Sequence, residues 1–72
     1  MKRSYITFGQ DHRHEVNGEI FDKDCVALIE HETDPRETAF AVFGRAWSME
    51  YPEAYFDRTS LDRHFPRGII KL

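Results

Sequence analysis

Cysteine, proline and glycine are scarce in this chain of 72 residues, which contains one cysteine, three prolines and four glycines. Cys25 has no partner for an internal disulfide, so we expect a reducing compartment, by default the cytoplasm. No linker-like stretch or shift in composition divides the chain, and no segment repeats. These features predict one domain that spans residues 1–72.

Long apolar runs and blocks of charge of one sign are also lacking. No run approaches the roughly 18 apolar residues of a membrane span, and the N-terminal MKRSYITF lacks the apolar region of a signal peptide, so we expect no membrane partner. Thirteen acidic and ten basic residues are interspersed and give a net charge of −3. Because phosphate binding by a nucleic-acid-binding protein needs a basic stripe, we do not expect nucleic acid as a partner.

Aromatic residues are plentiful, with six Phe, three Tyr and one Trp. A domain this short buries only roughly 60% of the surface that its unfolded chain exposes. We therefore expect a compact aromatic core, with self-association into a homodimer as the other source of stability.

The dipeptide Asn17-Gly18 is the strongest local signal, because it is typical of the type I′ turn of a β-hairpin. A two-residue turn pairs Val16 with Glu19, and the same register continues toward the open end of the hairpin. It predicts further pairs: His14 with Phe21, Gln10 with Cys25, Phe8 with Ala27, and Ile6 with Ile29. Apolar residues then face apolar residues, although a bend or bulge at Gly9 would shift the register nearer the turn.

A helix is predicted in the segment TDPRETAFAVFGRAW. Asp34 is a suitable N-cap, Pro35 suits the first turn, and Glu37 completes an arrangement that resembles a capping box. Apolar residues at spacings of three and four predict one face that packs on the hairpin: Ala39, Phe40, Phe43, Ala46 and Trp47. Gly44 could instead end the helix early.

The C-terminal third predicts short elements. SMEYPEAYF is ambiguous, because Met49 and Tyr51 alternate with polar residues as in a short strand but Pro52 stops any continuation, and TSLDRH could form a helical turn capped by Thr59. FPRG is typical of a turn with Pro66 in its second position, and IIKL predicts a terminal strand. The expected fold is a small α+β domain of β-β-α-β type, in which one helix packs on an antiparallel hairpin and one or two further short strands complete the sheet.

His12 and His14 are the first candidates for chemistry, because residues two apart on a strand point to the same side. In the predicted register Cys25 shares that side, which would give three zinc ligands, with Asp24 as a fourth. However, the same register places Lys23 opposite His12, and an ammonium group beside a metal ion is unfavourable. We therefore expect no metal and no cofactor, and keep a small zinc protein as the alternative hypothesis.

Gln10 is the second candidate, because it lies where the apolar side of the hairpin ends and its amide needs partners there. A bound nucleotide or a neighbouring subunit would supply them. The predicted ligand-binding residues are therefore Gln10, His12 and His14. The acids Asp11, Asp22 and Asp24 also come together in this register and could hold a divalent ion, but acids near a hairpin end usually serve solubility.

The aromatic residues of the C-terminal part could form a contact surface, although core packing is the alternative for most of them. Because tyrosine and arginine are favoured interface anchors, the predicted partner-binding residues are Tyr51, Tyr55, Arg63 and Arg67. The chain has no Ser-His-Asp set with supporting signals and no Gly-rich phosphate loop. A domain this small also offers few places to shield a reaction from water, so we predict no catalytic residue and no enzyme.

Three stretches in this order, YITFGQDHRH, FGRAW and FPRGIIKL, resemble a group of small uncharacterised proteins encoded by bacteriophages and prophages. The matching positions are Thr7, Phe8, Gly9 and Gln10 with a following His, then Phe43, Gly44 and Trp47, and finally Phe65, Pro66 and Gly68. The resemblance implies a phage accessory protein that acts by non-catalytic binding in the cytoplasm of a bacterial host. It makes inhibition of host defence the expected function, either by covering a host protein as an anti-CRISPR protein does or by sequestering a nucleotide signal.

Overall fold

The computed structural model describes residues 2–32, 34–56 and 64–72, which form an α+β fold as predicted. The described elements are β1 (Lys2–Thr7), β2 (His14–Val16), β3 (Glu19–Phe21), β4 (Cys25–His31), α1 (Pro35–Phe43), β5 (Met49–Pro52), a 3₁₀ turn (Glu53–Tyr55) and β6 (Gly68–Lys71). No helix in these ranges is long and apolar enough to cross a membrane.

Four of the strands form a sheet in the order β5-β1-β4-β6. β1 is antiparallel to both of its neighbours, whereas β6 runs parallel to β4. β2 and β3 form a separate two-stranded sheet. The predicted strands in SMEYPEAYF and IIKL are therefore confirmed, while the proposed helical turn capped by Thr59 begins outside the described residues.

The Asn17-Gly18 turn is confirmed by its backbone geometry. Asn17 has a φ of 52° and Gly18 a φ of 85°, and a type I′ turn needs positive φ at both central residues. The predicted pairs of Val16 with Glu19 and of His14 with Phe21 both form. The local signal thus positions the whole β2–β3 hairpin.

The register between β1 and β4 differs from the prediction by two residues. Ile6 pairs with Ala27 rather than with Ile29, and residues 8–13, here called the Gly9 bend, lie between β1 and β2 rather than in a strand. The predicted pairs Phe8 with Ala27 and Gln10 with Cys25 are therefore wrong. Seven residues lie between Ile6 and His14, whereas five lie between their partners Ala27 and Phe21, and the bend accommodates the difference.

The predicted apolar side of the sheet survives this change, because a slip of two residues returns every side chain to the same face. This side packs against α1, and its buried cluster consists of Ile6, Phe8, Phe21, Cys25, Ala27, Ile29, Ala39 and Phe43. Phe43 is central, since its ring lies edge-on to Phe8 at 5.0 Å and to Phe21 at 5.2 Å between centroids. Full burial of each phenylalanine or isoleucine side chain in this cluster stabilises the fold by about 1.5–3 kcal/mol.

The helix begins and ends at its predicted signals. The Asp34 carboxylate accepts a hydrogen bond from the backbone N–H of Arg36 at 2.9 Å. Gly44 has a φ of 61°, and its N–H donates to Phe40 O at 2.9 Å, which ends the helix early. Trp47 therefore lies beyond the helix, so the continuous helical stripe predicted as far as Trp47 is wrong.

Phe40 is the second departure on this helix. Its side chain is 53% exposed rather than packed on the hairpin, and its ring meets Trp47 edge-on at 5.1 Å. The Trp47 indole N–H donates to Gly44 O at 3.1 Å. Ala39 and Phe43 alone supply the fully buried part of the helix face.

The other side of the sheet is covered by the chain that follows β5. Tyr5 is only 1% exposed, and its ring stacks on Phe56 at 4.4 Å. Tyr51, which pairs with Tyr5 across β1 and β5, also contacts Phe56 at 5.7 Å. Both faces of β1 are therefore buried, and β1 lies at the centre of the fold.

Candidate functional site

A pocket of about 370 Å³ opens beside the Gly9 bend. Three separate segments contribute to it: the end of β1 with the bend, the turn between β3 and β4, and the residues before β6. Its described lining consists of Thr7, Gly9, Gln10, Lys23, His64 and Phe65. The two-residue change of register positions this site, because the bend that accommodates it carries Gly9 and Gln10.

Gly9 is required where the bend begins. Its φ is 68°, a conformation that side-chain-bearing residues rarely adopt. A Cβ atom at this position would lie 3.3 Å from Ser48 Cβ and 3.4 Å from Ser48 Oγ. The Ser48 N–H also donates to Thr7 O at 2.8 Å, so the segment before β5 supports this wall of the pocket from behind.

Lys23 reaches the pocket from the turn of residues 22–25. Asp22 shapes that turn, because its carboxylate accepts from Asp24 N–H at 3.0 Å and its carbonyl accepts from Cys25 N–H at 3.3 Å. The Lys23 ammonium donates to Asp24 Oδ1 at 2.9 Å. This hydrogen bond and the Asp24 charge raise the pKa of Lys23, so the lysine stays protonated and is paired with Asp24 where it reaches the pocket.

His64 and Phe65 form the third wall. Their rings lie edge-on with centroids 6.4 Å apart, and Phe65 is half-buried. The Phe65 carbonyl accepts from Gly68 N–H at 2.9 Å, which closes the predicted FPRG turn with Pro66 in its second position. This turn places an aromatic ring next to the polar Gly9 bend.

The lining differs in charge from the chain as a whole. The chain carries a net charge of −3, yet the described lining has no acid and contains one lysine and one histidine. Gln10 and Thr7 add hydrogen-bond donors and acceptors, and Phe65 adds a flat apolar surface. Such a lining suits a small anion that carries a planar group.

Of the three predicted ligand-binding residues, only Gln10 lies in this lining. His14 is on β2, where its ring meets Phe43 edge-on at 5.7 Å. His12 is half-buried in the bend. Gln10 and His12 lie in the Gly9 bend and His14 lies on β2, so the shared strand side on which the three were predicted does not form.

The residues of the zinc hypothesis do not come together. Cys25 is completely buried, and its Sγ accepts a hydrogen bond from Asp22 N–H at 3.4 Å. Within residues 2–32, 34–56 and 64–72, no group of three or more His, Cys, Asp or Glu side chains is arranged to hold a metal ion. The structure therefore does not form the predicted zinc site of His12, His14, Cys25 and Asp24. It does not form the predicted acid cluster of Asp11, Asp22 and Asp24 either.

The predicted partner-binding residues divide between two places. Tyr51 is half-buried and Tyr55 is 82% exposed, both near β5 at one edge of the sheet. Arg67 precedes β6 at the opposite edge and bonds to two carboxylates of the β2–β3 side. Arg63 lies outside the described residues.

Sequence reasoning missed Thr7, Lys23 and His64 as residues of one site. Lys23 was visible as a cation opposite His12, and Phe65 as one of several aromatic residues near the C-terminus. Fifty residues lie between the Gly9 bend and His64 in the chain, so no local pattern could bring them together.

Comparison of the chain with protein-family models, curated proteins and solved structures gives no match. The function is accordingly argued from the pocket and its residues.

Proposed function

We propose that this protein is a non-catalytic binding protein that captures a small anionic ligand, of the nucleotide class, in the pocket beside the Gly9 bend. The observation that carries the proposal is the lining, which, among the described residues, combines a lysine, a histidine, an amide and an aromatic ring and includes no acid. A nucleotide has the matching parts, namely a phosphate, a hydrogen-bonding edge and a planar base.

Each lining residue has a role in this binding. Lys23 and His64 face the phosphate, for which a charge-assisted hydrogen bond is the strong contact. Phe65 stacks on the base, a contact worth about 1–3 kcal/mol per base in proteins that bind single-stranded nucleic acid. Gln10 offers an amide that both donates and accepts at the edge of the base.

The state of Lys23 supports binding rather than catalysis. A lysine that acts as a base needs a lowered pKa, whereas the hydrogen bond to Asp24 raises the pKa of Lys23. Cys25, the chain's single thiol, is fully buried in the core and is not exposed as a nucleophile. The proposed chemistry is therefore retention of an unchanged ligand.

The resemblance to small phage and prophage proteins supplies the proposed setting. In the cytoplasm of a bacterial host, an abundant protein that holds a nucleotide lowers the free concentration of that nucleotide. Sequestration of a nucleotide signal of host defence is the role that this setting favours. Sequestration needs no catalytic residue; it needs sufficient affinity for the nucleotide and a sufficient concentration of the protein.

Occlusion of a host protein is the second candidate function, and one observation favours it. Tyr55 is 82% exposed, on the 3₁₀ turn directly after the edge strand β5. An exposed tyrosine beside a sheet edge is a suitable anchor for another protein. This candidate uses a surface separate from the pocket, so variants of the two sites distinguish the functions.

The test is a calorimetric titration of the protein with adenosine 5′-monophosphate and guanosine 5′-monophosphate. We expect binding of at least one of them, and a loss of about tenfold or more in affinity in Lys23→Met, since a hydrogen bond to a charged group is worth about 1.5–3 kcal/mol. Lys71→Met is the matched control, because Lys71 approaches Glu30 at 3.9 Å on the surface and does not line the pocket. Equal affinities of the two lysine variants would contradict the proposal.

A further inference from the structure

Arg67 makes a set of contacts that joins two walls of the pocket. Its backbone N–H donates to Asp24 O at 2.8 Å. Its guanidinium donates to Glu19 Oε2 at 2.9 Å and to Asp22 Oδ1 at 3.4 Å. One residue thus holds the turn of residues 22–25 through both its main chain and its side chain.

The two segments that Arg67 connects carry different lining residues. Lys23 is part of the turn that Arg67 binds. Phe65 is two residues before Arg67, and its carbonyl is held by Gly68 N–H at 2.9 Å. The separation between the Lys23 wall and the Phe65 wall therefore depends on the bonds that Arg67 makes.

Asp22 makes this connection stiff. The same Oδ1 that accepts from Arg67 also accepts from Asp24 N–H at 3.0 Å. The guanidinium consequently binds a carboxylate that already orders the turn, and a planar fork with fixed donors is suited to two acceptors at once. A shift of Arg67 would move the turn and the FPRG segment relative to one another.

Arg67 does not itself line the pocket. Both terminal nitrogens of its guanidinium bond to carboxylates, and its side chain is only 35% exposed. These contacts account for its charge without a ligand.

We infer that Arg67 is a positioning residue, which sets the distance between Lys23 and Phe65 and thereby the fit of a nucleotide in the pocket. The effect of Arg67 on nucleotide fit rests on the proposed binding function. The bonds by which Arg67 connects the two walls of the pocket are a property of the free protein. It assigns Arg67 a role different from that of an anchor for a protein partner.

The first arm of the test measures the free protein. Amide hydrogen exchange followed by NMR is compared between the wild type and Arg67→Gln, with Arg3→Gln as the matched control, because Arg3 bonds to Glu53 at 3.2 Å near the opposite edge of the sheet. We expect the backbone amide of residue 67 to exchange about tenfold faster or more in Arg67→Gln than in the wild type, while the amides of Ile6 and Ala27 stay protected. Unchanged exchange at Arg67 would overturn the inference whether or not the protein binds nucleotides.

The second arm measures binding of adenosine 5′-monophosphate. Arg67→Gln is expected to weaken it about tenfold, an effect within the range seen for residues that act through others. Arg67→Glu should weaken it further, and the double variant Arg67→Glu with Glu19→Arg should recover part of the affinity by restoring the pair with reversed charges. Arg67→Lys, which keeps the charge, serves as the milder variant if the others fold poorly.

The outcomes separate the two claims. Recovery in the charge-reversed pair supports positioning, because a glutamate at position 67 cannot bind a phosphate directly. Failure to recover, with normal folding, would mean that the Arg67–Glu19 pair does not set the fit of the pocket and would overturn the inference. Fast exchange in Arg67→Gln together with no nucleotide binding by the wild type would leave the connection between the walls intact and refute the proposed function.

Discussion

Ser4 Oγ lies 2.9 Å from His31 Nε2, and both side chains are buried, at 2% and 6% exposure. Ser4 pairs with Ile29 across β1 and β4, so it lies on the side of the sheet that packs against α1. His31 is two residues from Ile29 and therefore on the same side. Its Nδ1 has no hydrogen-bond partner among the described residues, so the bond to Ser4 is its one described side-chain contact of this kind.

Removal of Ser4 alone should destabilise the protein. Ser4→Ala leaves a buried ring nitrogen unpaired, which costs about 1–3 kcal/mol. The double variant Ser4→Ala with His31→Leu removes both polar groups and should recover most of that loss. Urea unfolding followed by circular dichroism measures the free energies of unfolding. A double variant that is less stable than Ser4→Ala would show that the Ser4–His31 pair does more than satisfy each partner's buried polar group.

Gly9 should tolerate no side chain. In Gly9→Ala the backbone keeps a left-handed φ, at a cost of about 1–2 kcal/mol, and the new Cβ lies 3.3 Å from Ser48. Gly18→Ala is the control, since Gly18 also has a positive φ, but a Cβ atom at this position would have no neighbouring atom within 4 Å. We expect Gly9→Ala to lose more stability than Gly18→Ala in thermal unfolding, and to lose nucleotide affinity as well; equal losses would mean that the Ser48 contact has no effect.

Stability should fall at alkaline pH through Cys25. Burial raises the pKa of this thiol above its ordinary value, and the hydrogen bond to the Asp22 backbone and the charge of Arg67 offset only part of that rise. The unfolded chain therefore ionises at Cys25 before the folded protein does. The contribution is fully present below the unfolded pKa of about 8.5 and is lost as the pH rises through the folded pKa.

The comparison of the wild type with Cys25→Ala isolates this effect. The free energy of unfolding is measured at several values between about pH 7 and about pH 10, around the ordinary range of a thiol. The wild type should lose stability more steeply with pH than Cys25→Ala, because lysines and tyrosines contribute equally to both. Parallel curves would show that Cys25 titrates alike in the folded and unfolded states.

Substitution of Tyr51 and of Tyr55, which both lie near the β5 edge of the sheet, should affect stability differently. Tyr51→Ala removes a ring that packs on Phe56, so we expect a lower melting temperature. Tyr55→Ala removes a side chain that is 82% exposed, so the free energy of unfolding should change by no more than about 0.5 kcal/mol and the melting temperature should hardly change. If a host protein is captured by the wild type and by Tyr55→Ala equally, the occlusion candidate loses its supporting observation.

Sequence reasoning succeeded where one residue determines its own backbone. Asn17-Gly18 selects its turn because few residues adopt positive φ, and Asp34 begins the helix because its carboxylate bonds to the next turn. Pro66 marks its turn for the same local reason. These signals act over a few residues, so they do not depend on the rest of the fold.

The register of β1 against β4 could not be predicted in the same way. Ile6 faces the core whether it pairs with Ala27 or with Ile29, so the hydrophobic pattern does not distinguish the two registers. The Gly9 bend that accompanies the observed register lies close to Ser48, which is a tertiary and not a local contact. The pocket was missed for this reason, since its walls meet only once that register is set.

Native mass spectrometry of the protein purified from bacterial lysate tests the central claim most directly, because it reports a retained ligand and the number of subunits together. We expect the wild type to carry a mass in the range of a nucleotide, at one ligand per pocket, and Lys23→Met to appear without it while Lys71→Met retains it. A wild-type protein that appears bare, and that stays bare after incubation with adenosine and guanosine 5′-monophosphates, would contradict the account.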